Sequence, residues 1–320
     1  MTRYIVWRIA QFVPVLLISS FVIFMIMHWA PGDPASLLAG DDAGPEEINA
    51  IQAELGLDRP VIVQFVDWLA GALTGDFGVS YINGQQAADL IFSRVGPTLQ
   101  LALTSIVIAI LIAIPIGCLA ALRPNGLLDR IITGLTTLPI AIPNFWLAIV
   151  AIIVFSLYLG ILPAGGYAPF SDGPLEALKY LILPAFALAS DQMAILIRYS
   201  RTAMIESLSE DYIRTAVSKG ISRMRVVLRH GLRNALVPVV TMLGIMLGHM
   251  LSGAMIIESI FAWPGMGRLL VQSITNRDYL VVQGVLLLMV AWFALINLIV
   301  DLLYGAIDPR IRLGQQEVSA

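Results

Sequence analysis

Charged residues leave long gaps in this chain, and those gaps decide what it can fold into. Six apolar intervals stand out: 9 to about 29, about 98 to 122, about 131 to 159, 180 to 197 with Asp191 inside it, 234 to 257, and 279 to 300. Each has room for the roughly 20 residues that cross about 30 Å of hydrocarbon as a helix. Composition closes off a soluble alternative. Of the residues, 58% are apolar and 13% charged, with a mean hydropathy of +0.84, and a water-soluble domain of this mass exposes too much surface to hide them. The expected fold is an all-α integral membrane protein with six transmembrane helices.

Direction follows from Lys and Arg. Arg3 and Arg8 precede the first interval, Arg123 and Arg130 bracket the link between the second and third, and Arg310 and Arg312 follow the sixth. Segment 198–233 holds eight basic residues against three acidic ones, whereas 31–97 holds ten acidic residues and two basic ones. With six alternating spans, every basic segment falls on one side. Both termini are therefore expected in the cytoplasm, and 31–97 outside. The first interval is longer than the apolar core of a signal peptide and is followed by Pro31, so it reads as an uncleaved anchor. Lone Cys118 offers no disulfide framework and no cysteine metal site.

The expected division is 1–30 for the N-terminal tip and first span, 31–97 for an extracytoplasmic helical insertion, 98–307 for a five-span core and 308–320 for a cytoplasmic tail. Within the insertion, Pro45-Glu46-Glu47 opens a helical pattern (Ile48, Ile51, Gln52, Leu55) that stops at Gly56. A second pattern runs through Val61, Phe65, Trp68, Leu69 and Leu73 to Gly75. These predict short amphipathic helices. A structural cap and a docking surface for a soluble partner both fit them.

The cytoplasmic segment 205–235 carries the most information. Ile205, Leu208, Tyr212 and Ala216 recur at helical spacing until Gly220, a residue suited to the left-handed position after a helix. Ser222 can cap a second helix with Met224, Val227, Gly231 and Ala235 as its apolar stripe, while Arg225, Arg229 and Arg233 share another face. Topology and anionic lipid explain the arginines. They do not explain two helices meeting at a glycine with an ordered stripe, which is what a docking element for a soluble protein needs. Nucleic acid fits poorly, because no basic domain surrounds so short an element.

Asp211 through Pro238, DYIRTAVSKGISRMRVVLRHGLRNALVP, resembles the coupling loop of ABC-importer permeases, whose pattern is EAA-x3-G-x9-I-x-LP. Gly220 takes the motif glycine and Arg214-Thr215-Ala216 the EAA positions. Arg214 replaces the acid, leaving Glu210 and Asp211 as the nearest acids, and His230 and Arg233 stand where Ile and Pro are expected. Further blocks resemble, in order, the B-type permease subunit of the dipeptide, oligopeptide and nickel importer family: Pro31-Gly32-Asp33-Pro34, Leu55 to Pro60, Gly75-Asp76-Phe77-Gly78, Ile142 to Trp146, Glu258 to Gly267, and Asp308-Pro309-Arg310. Together they cover nearly the whole chain.

The resemblance implies a type I ABC importer permease fold in the cytoplasmic (inner) membrane. It implies coupling to ATPase subunits through Glu210, Asp211, Tyr212, Arg214, Thr215, Ala216, Lys219, Gly220, Arg225 and Arg229. The partners it implies are a second, C-type permease, two cytoplasmic ATPase subunits that carry ATP and Mg²⁺, and an extracytoplasmic solute-binding protein. The turn at Phe261, Trp263, Pro264 and Gly265 is placed near the outer mouth. Substrates of the class are short peptides, with nickel chelates, glutathione or oligosaccharides as alternatives.

Polar groups inside the spans mark a candidate translocation path: Asn144, Asp191 and His249, with Gln283 and Asn297 as further in-span groups. Asp191 costs about 2.5–3.5 kcal/mol on an insertion scale, so it faces protein or water. Ordinary interhelical hydrogen bonding accounts for Asn144 and Asp191 equally well. Pro139 and Pro143 predict kinks in the third span. Gly244 and Gly248 form a GxxxG expected to serve packing within the chain.

No phosphate-loop pattern is present, so the chain is not expected to hydrolyse ATP, bind a cofactor or hold a metal, and the hydrolase motifs H-E-x-x-H and G-x-S-x-G are also missing. The rival from another class is an ion-gradient-driven secondary transporter. Asp191 alone offers a proton carrier for it, no inverted repeat is evident, and a self-sufficient transporter has no use for a docking loop.

Overall fold

A computed structural model of the chain describes residues 2–29, 34–40 and 43–307, with side chains for most of them. The block at 31–33 and the tail 308–320, with Arg310 and Arg312, lie outside the described residues. The described residues are mostly helical and contain no strand, only an isolated bridge between Val79 and Gln86. Among the described residues four helices are long and apolar enough to cross a membrane: Ala87–Ala121, Pro174–Ser209, Met242–Ile260 and Tyr279–Val300. A fifth crossing is available if the bent pair Leu127–Ala141 and Asn144–Tyr158 counts as one.

The elements are α1 (Thr2–Trp29), α2 (Pro34–Ala39), α3 (Pro45–Glu54), α4 (Val61–Thr74), α5 (Ala87–Ala121), α6 (Leu127–Leu135) and α7 (Thr137–Ala141). After them come α8 (Asn144–Ala151), α9 (Pro174–Ser209), α10 (Asp211–Ser218), α11 (Arg223–Arg225), α12 (Leu232–Ile260), α13 (Met266–Thr275) and α14 (Tyr279–Ile307). They form two compact units. One comprises Met1–Thr98 and Pro264–Leu298, the other Leu99–Trp263 and Ile299–Ala320.

In the first unit, α1 meets α4 through aromatic rings. Phe24 lies 5.6 Å from Phe65 and 5.8 Å from Trp68, and Phe21 lies 5.2 Å from Phe65. The stripe expected on α4 is half-buried at Val61, Phe65, Trp68 and Leu69, but Leu73 is 80% exposed. The helix ends there: Gly75 takes φ 87°, and the chain turns away before Leu73 finds a neighbour. The expected stop of α3 at Gly56 is built the same way, with φ 68° at Gly56 and the Leu57 N–H donating to the Gln52 carbonyl at 2.9 Å. Buried Asp278 holds the 76–86 turn by accepting from the Ser80 hydroxyl and, at 3.2 Å, from the Tyr81 N–H.

The second unit is organised on α9 and α12, which pack along each other with α8 against both. Its core includes Leu181, Leu188, Leu196, Met204, Met246, Met250 and Ile257. α9 has a hydropathy of 1.7 against 2.6 for α5. Two-thirds of its apolar window is inside the protein, against 39% for α5, and a helix wrapped by protein need not match lipid. Small residues (Ala185, Ala187, Ala189, Ala194) let neighbours approach it closely. A Cβ on Gly117 of α5 would lie 2.7 Å from the Ile197 carbonyl oxygen, so the two backbones nearly touch. Gly244 serves intrachain packing, as expected: a Cβ there would lie 2.1 Å from Cγ2 of Val300.

The third apolar interval is not one gently kinked helix. Its two halves meet at 100° across Ile142–Pro143. Proline clashes with a helical residue before it, and Ile142 is extended at φ −97°, ψ 128°. Pro139 stands in the first turn of α7, three residues past the break at Thr136 that separates α7 from α6.

Candidate functional site

The segment expected to couple to ATPases is built in three pieces. α9 ends at Ser209 and Glu210 is extended (φ −69°, ψ 150°), so Ile205 and Leu208 lie on a different helix from Tyr212 and Ala216. α10 then closes on Gly220 at φ 75°. There the Gly220 N–H donates to the Val217 carbonyl at 2.9 Å and the Ile221 N–H to the Ala216 carbonyl at 3.3 Å. That pair is the Schellman pattern, which needs the left-handed residue glycine supplies.

Beyond the turn the stripe differs from expectation. Val227, Gly231 and Ala235 are buried, but Met224 is 67% exposed. A π-helical turn over Val226–Gly231 is the reason, since it re-phases the helix and puts Val226 inside in place of Met224. Ser222 has the extended backbone of a cap, but its side chain makes no capping hydrogen bond.

The element has its own small core of Ile213, Ala216 and Val226, with Leu208 and Ile221 against it. The Ser207 hydroxyl donates to the Gly231 carbonyl at 2.9 Å, so the Tyr212 hydroxyl, 2.8 Å away, donates to Ser207. One serine thus ties the end of α9 to both arms. Glu210, Asp211, Arg214, Thr215, Lys219, Gly220, Arg225 and Arg229 are all exposed, and Tyr212 is 39% exposed. Arg214 pairs with Asp211 at 3.5 Å, with both side chains in solvent. The result is a rigid scaffold whose outward face is mainly charged and polar.

The polar groups of the spans are partly brought together. Asn144 opens α8 just past the bend, and its Nδ2 donates to Oδ1 of Asp191 on α9 at 3.1 Å. Gln192 donates to the other Asp191 oxygen at 2.9 Å. Both Asn144 and Asp191 line a cleft of about 420 Å³ with Pro143, Gly253, Ile256 and Ile257. His249 is exposed on α12, one turn before Gly253, and does not line this cleft. A larger cleft of about 630 Å³ lies in the first unit among Phe24, His28, Asp67, Trp68, Tyr81 and Gln283. Tyr81, outside the spans, has its phenol pushed up to about 12 by burial and then by the negative charge of Asp278.

At the turn expected near the outer mouth, Phe261 and Trp263 are 1% and 0% exposed and face inward. The Gly166 N–H donates to the Phe261 carbonyl at 2.8 Å, and the Trp263 ring stands edge-on to Tyr167 at 4.8 Å. Gly265 is buried, Pro264 half-buried, and Ala262, at φ 52°, is the exposed residue of the turn. The two aromatics hold the 160s loop in place.

One buried pair gave no sequence signal. Asp129 on α6 accepts a two-nitrogen fork from Arg201 on α9, 72 positions away. Basic residues near span ends are explained by topology alone, so nothing in the composition singles out Arg201.

The chain matches the family described as binding-protein-dependent transport system inner membrane component over residues 113–313. The N-terminal domain of such components matches residues 1–102. Among curated relatives, peptide transport system permease proteins of Brucella abortus and Brucella melitensis are each 45% identical over 312 residues, 98% of this chain and 99% of theirs. The glutathione transport system permease protein GsiC of Escherichia coli is 42% identical over the same share of each chain.

Proposed function

We propose that this chain, which belongs to the binding-protein-dependent inner-membrane permeases of ABC transport systems, moves short peptides inward by alternating access. As a member of that family it is a multi-pass inner-membrane subunit of a transport complex that depends on a solute-binding protein and an ATPase. In our reading it has six spans with both termini in the cytoplasm. It pairs with a second, C-type permease, and segment 205–235 couples it to the pair of cytoplasmic ATPase subunits. ATP-driven closure of those subunits pulls on α10 and α11 and opens a path outward, the binding protein delivers substrate, and hydrolysis returns the path to the inside.

The observation that carries this reading is the coupling element, a Gly220-stopped helix on its own core with polar residues displayed outward. Asn144 and Asp191, in one cleft, are the groups we assign to the path. A peptide substrate is supported by the Brucella relatives at 45% identity, and GsiC at 42% supports glutathione, itself a tripeptide, as the second choice.

The test is recovery of the chain from detergent-solubilised native membranes, followed by mass spectrometry. ATPase subunits and a second permease should come with it. Recovery of the chain alone, with uptake into liposomes driven by an ion gradient, would replace this reading with a secondary transporter.

A further inference from the structure

We infer that Asp129, Arg201 and Arg223 form a clamp that carries movement of the coupling element into the broken third span, and through it to the Asn144–Asp191 cleft. This rests on the coupling role proposed above. Asp129 is 3% exposed, yet it takes a fork from Nε and Nη2 of Arg201, the latter at 2.6 Å. The same carboxylate accepts from the Asn125 N–H at 2.7 Å and from the Thr133 hydroxyl at 3.4 Å. Asn125 stands at φ 62°, so the 122–126 turn wraps back onto Asp129. From the other side, Nη2 of Arg223 donates to the Leu122 carbonyl at 3.2 Å, joining the first residue of α11 to the same turn.

These bonds make one block of four pieces. The end of α5 belongs to it because Gly117 leaves no room between α5 and 197–201 of α9. The turn and α6 belong through Asp129, and the coupling element through Arg223 and through α9 itself. From α6 the chain runs through α7 to the Ile142–Pro143 bend, and the next residue is Asn144.

A packing contact slides under load. A bidentate arginine–carboxylate pair does not, because its two parallel hydrogen bonds fix direction and breaking it strands a buried charge. An arginine present only for topology needs no buried partner and no fork. Asp129 and Arg201 are therefore positioning residues for transport, acting through the bend on Asn144.

The test uses the complete complex with its binding protein in proteoliposomes, reading labelled trialanine taken up per ATP hydrolysed, with ATPase-subunit recovery measured alongside. Arg201→Lys keeps the charge and loses the fork. It should recover ATPase subunits normally while uptake per ATP falls about tenfold. Arg223→Ala, an exposed site, removes only the bond to Leu122 and should lower the ratio about threefold with stability unchanged. A wild-type ratio in both Arg201→Lys and Arg223→Ala overturns the clamp. Failure of wild type to retain ATPase subunits or to take up trialanine would instead overturn the proposed function.

Discussion

Gly220 gives the sharpest test of the coupling element, because its conformation and its surroundings separate two effects usually mixed. Its φ is +75°, and a Cβ there would meet no atom within 4 Å. Replacement by Val therefore brings no steric overlap with a neighbour, only the backbone cost of a left-handed L-residue, about 1–2 kcal/mol and at the upper end for a β-branched side chain. About 2 kcal/mol lowers the equilibrium constant between the native turn and its alternatives roughly thirtyfold. It is small beside the 5–15 kcal/mol that typically holds a domain together, so the chain should still insert and fold. Gly220→Asn is the control, since Asn visits the left-handed region several-fold more readily. The assay is peptide uptake by membranes holding the whole complex, with ATPase-subunit recovery in parallel. Uptake and recovery should fall together in Gly220→Val and hold near wild type in Gly220→Asn. Full transport by Gly220→Val refutes the docking role of the turn. Equal inactivity of Val and Asn refutes the backbone explanation, leaving contact with the bare glycine surface as the cause.

Other outcomes follow from the same geometry. Gly117→Ala forces a Cβ against the backbone of α9, 2.7 Å from the Ile197 carbonyl oxygen and 3.1 Å from the Arg201 nitrogen; overpacking of this kind costs about 1–3 kcal/mol and should lower the melting temperature in detergent. Asn144→Leu removes the donor to Asp191, a hydrogen bond worth about 0.5–1.5 kcal/mol, and should cut uptake severalfold while leaving ATPase subunits attached. Normal uptake in that variant would take Asn144 off the path. The Tyr81 phenol titrates near 12 in the folded chain against an ordinary 10. Between those values the unfolded chain binds fewer protons, so stability falls as pH rises through the window. Melting at pH 9 and pH 11 should show a larger loss in wild type than in Tyr81→Phe, and equal losses would show that Tyr81 is not shielded.

Much of this protein was decided by properties that act locally along the chain. Apolar intervals bounded by charge set the membrane-capable helices, because partition into hydrocarbon is summed residue by residue. Gly56, Gly75 and Gly220 end α3, α4 and α10 in left-handed turns, a backbone preference that needs no neighbour. The proline at 143 was legible as a disturbance, though not as a 100° turn, because the angle is set by how α7 and α8 each lie on α9. What only the tertiary structure decided is who meets whom. Asn144 finds Asp191 across 47 positions, Arg201 finds Asp129 across 72, and Ser80 finds Asp278 across 198. Leu73 and Met224 fit their helical stripes and stay exposed, whereas Phe261 and Trp263 are buried. Periodicity gives a side chain its direction around its own helix, but burial and pairing depend on which other helix stands there, and that is settled only by packing of the whole.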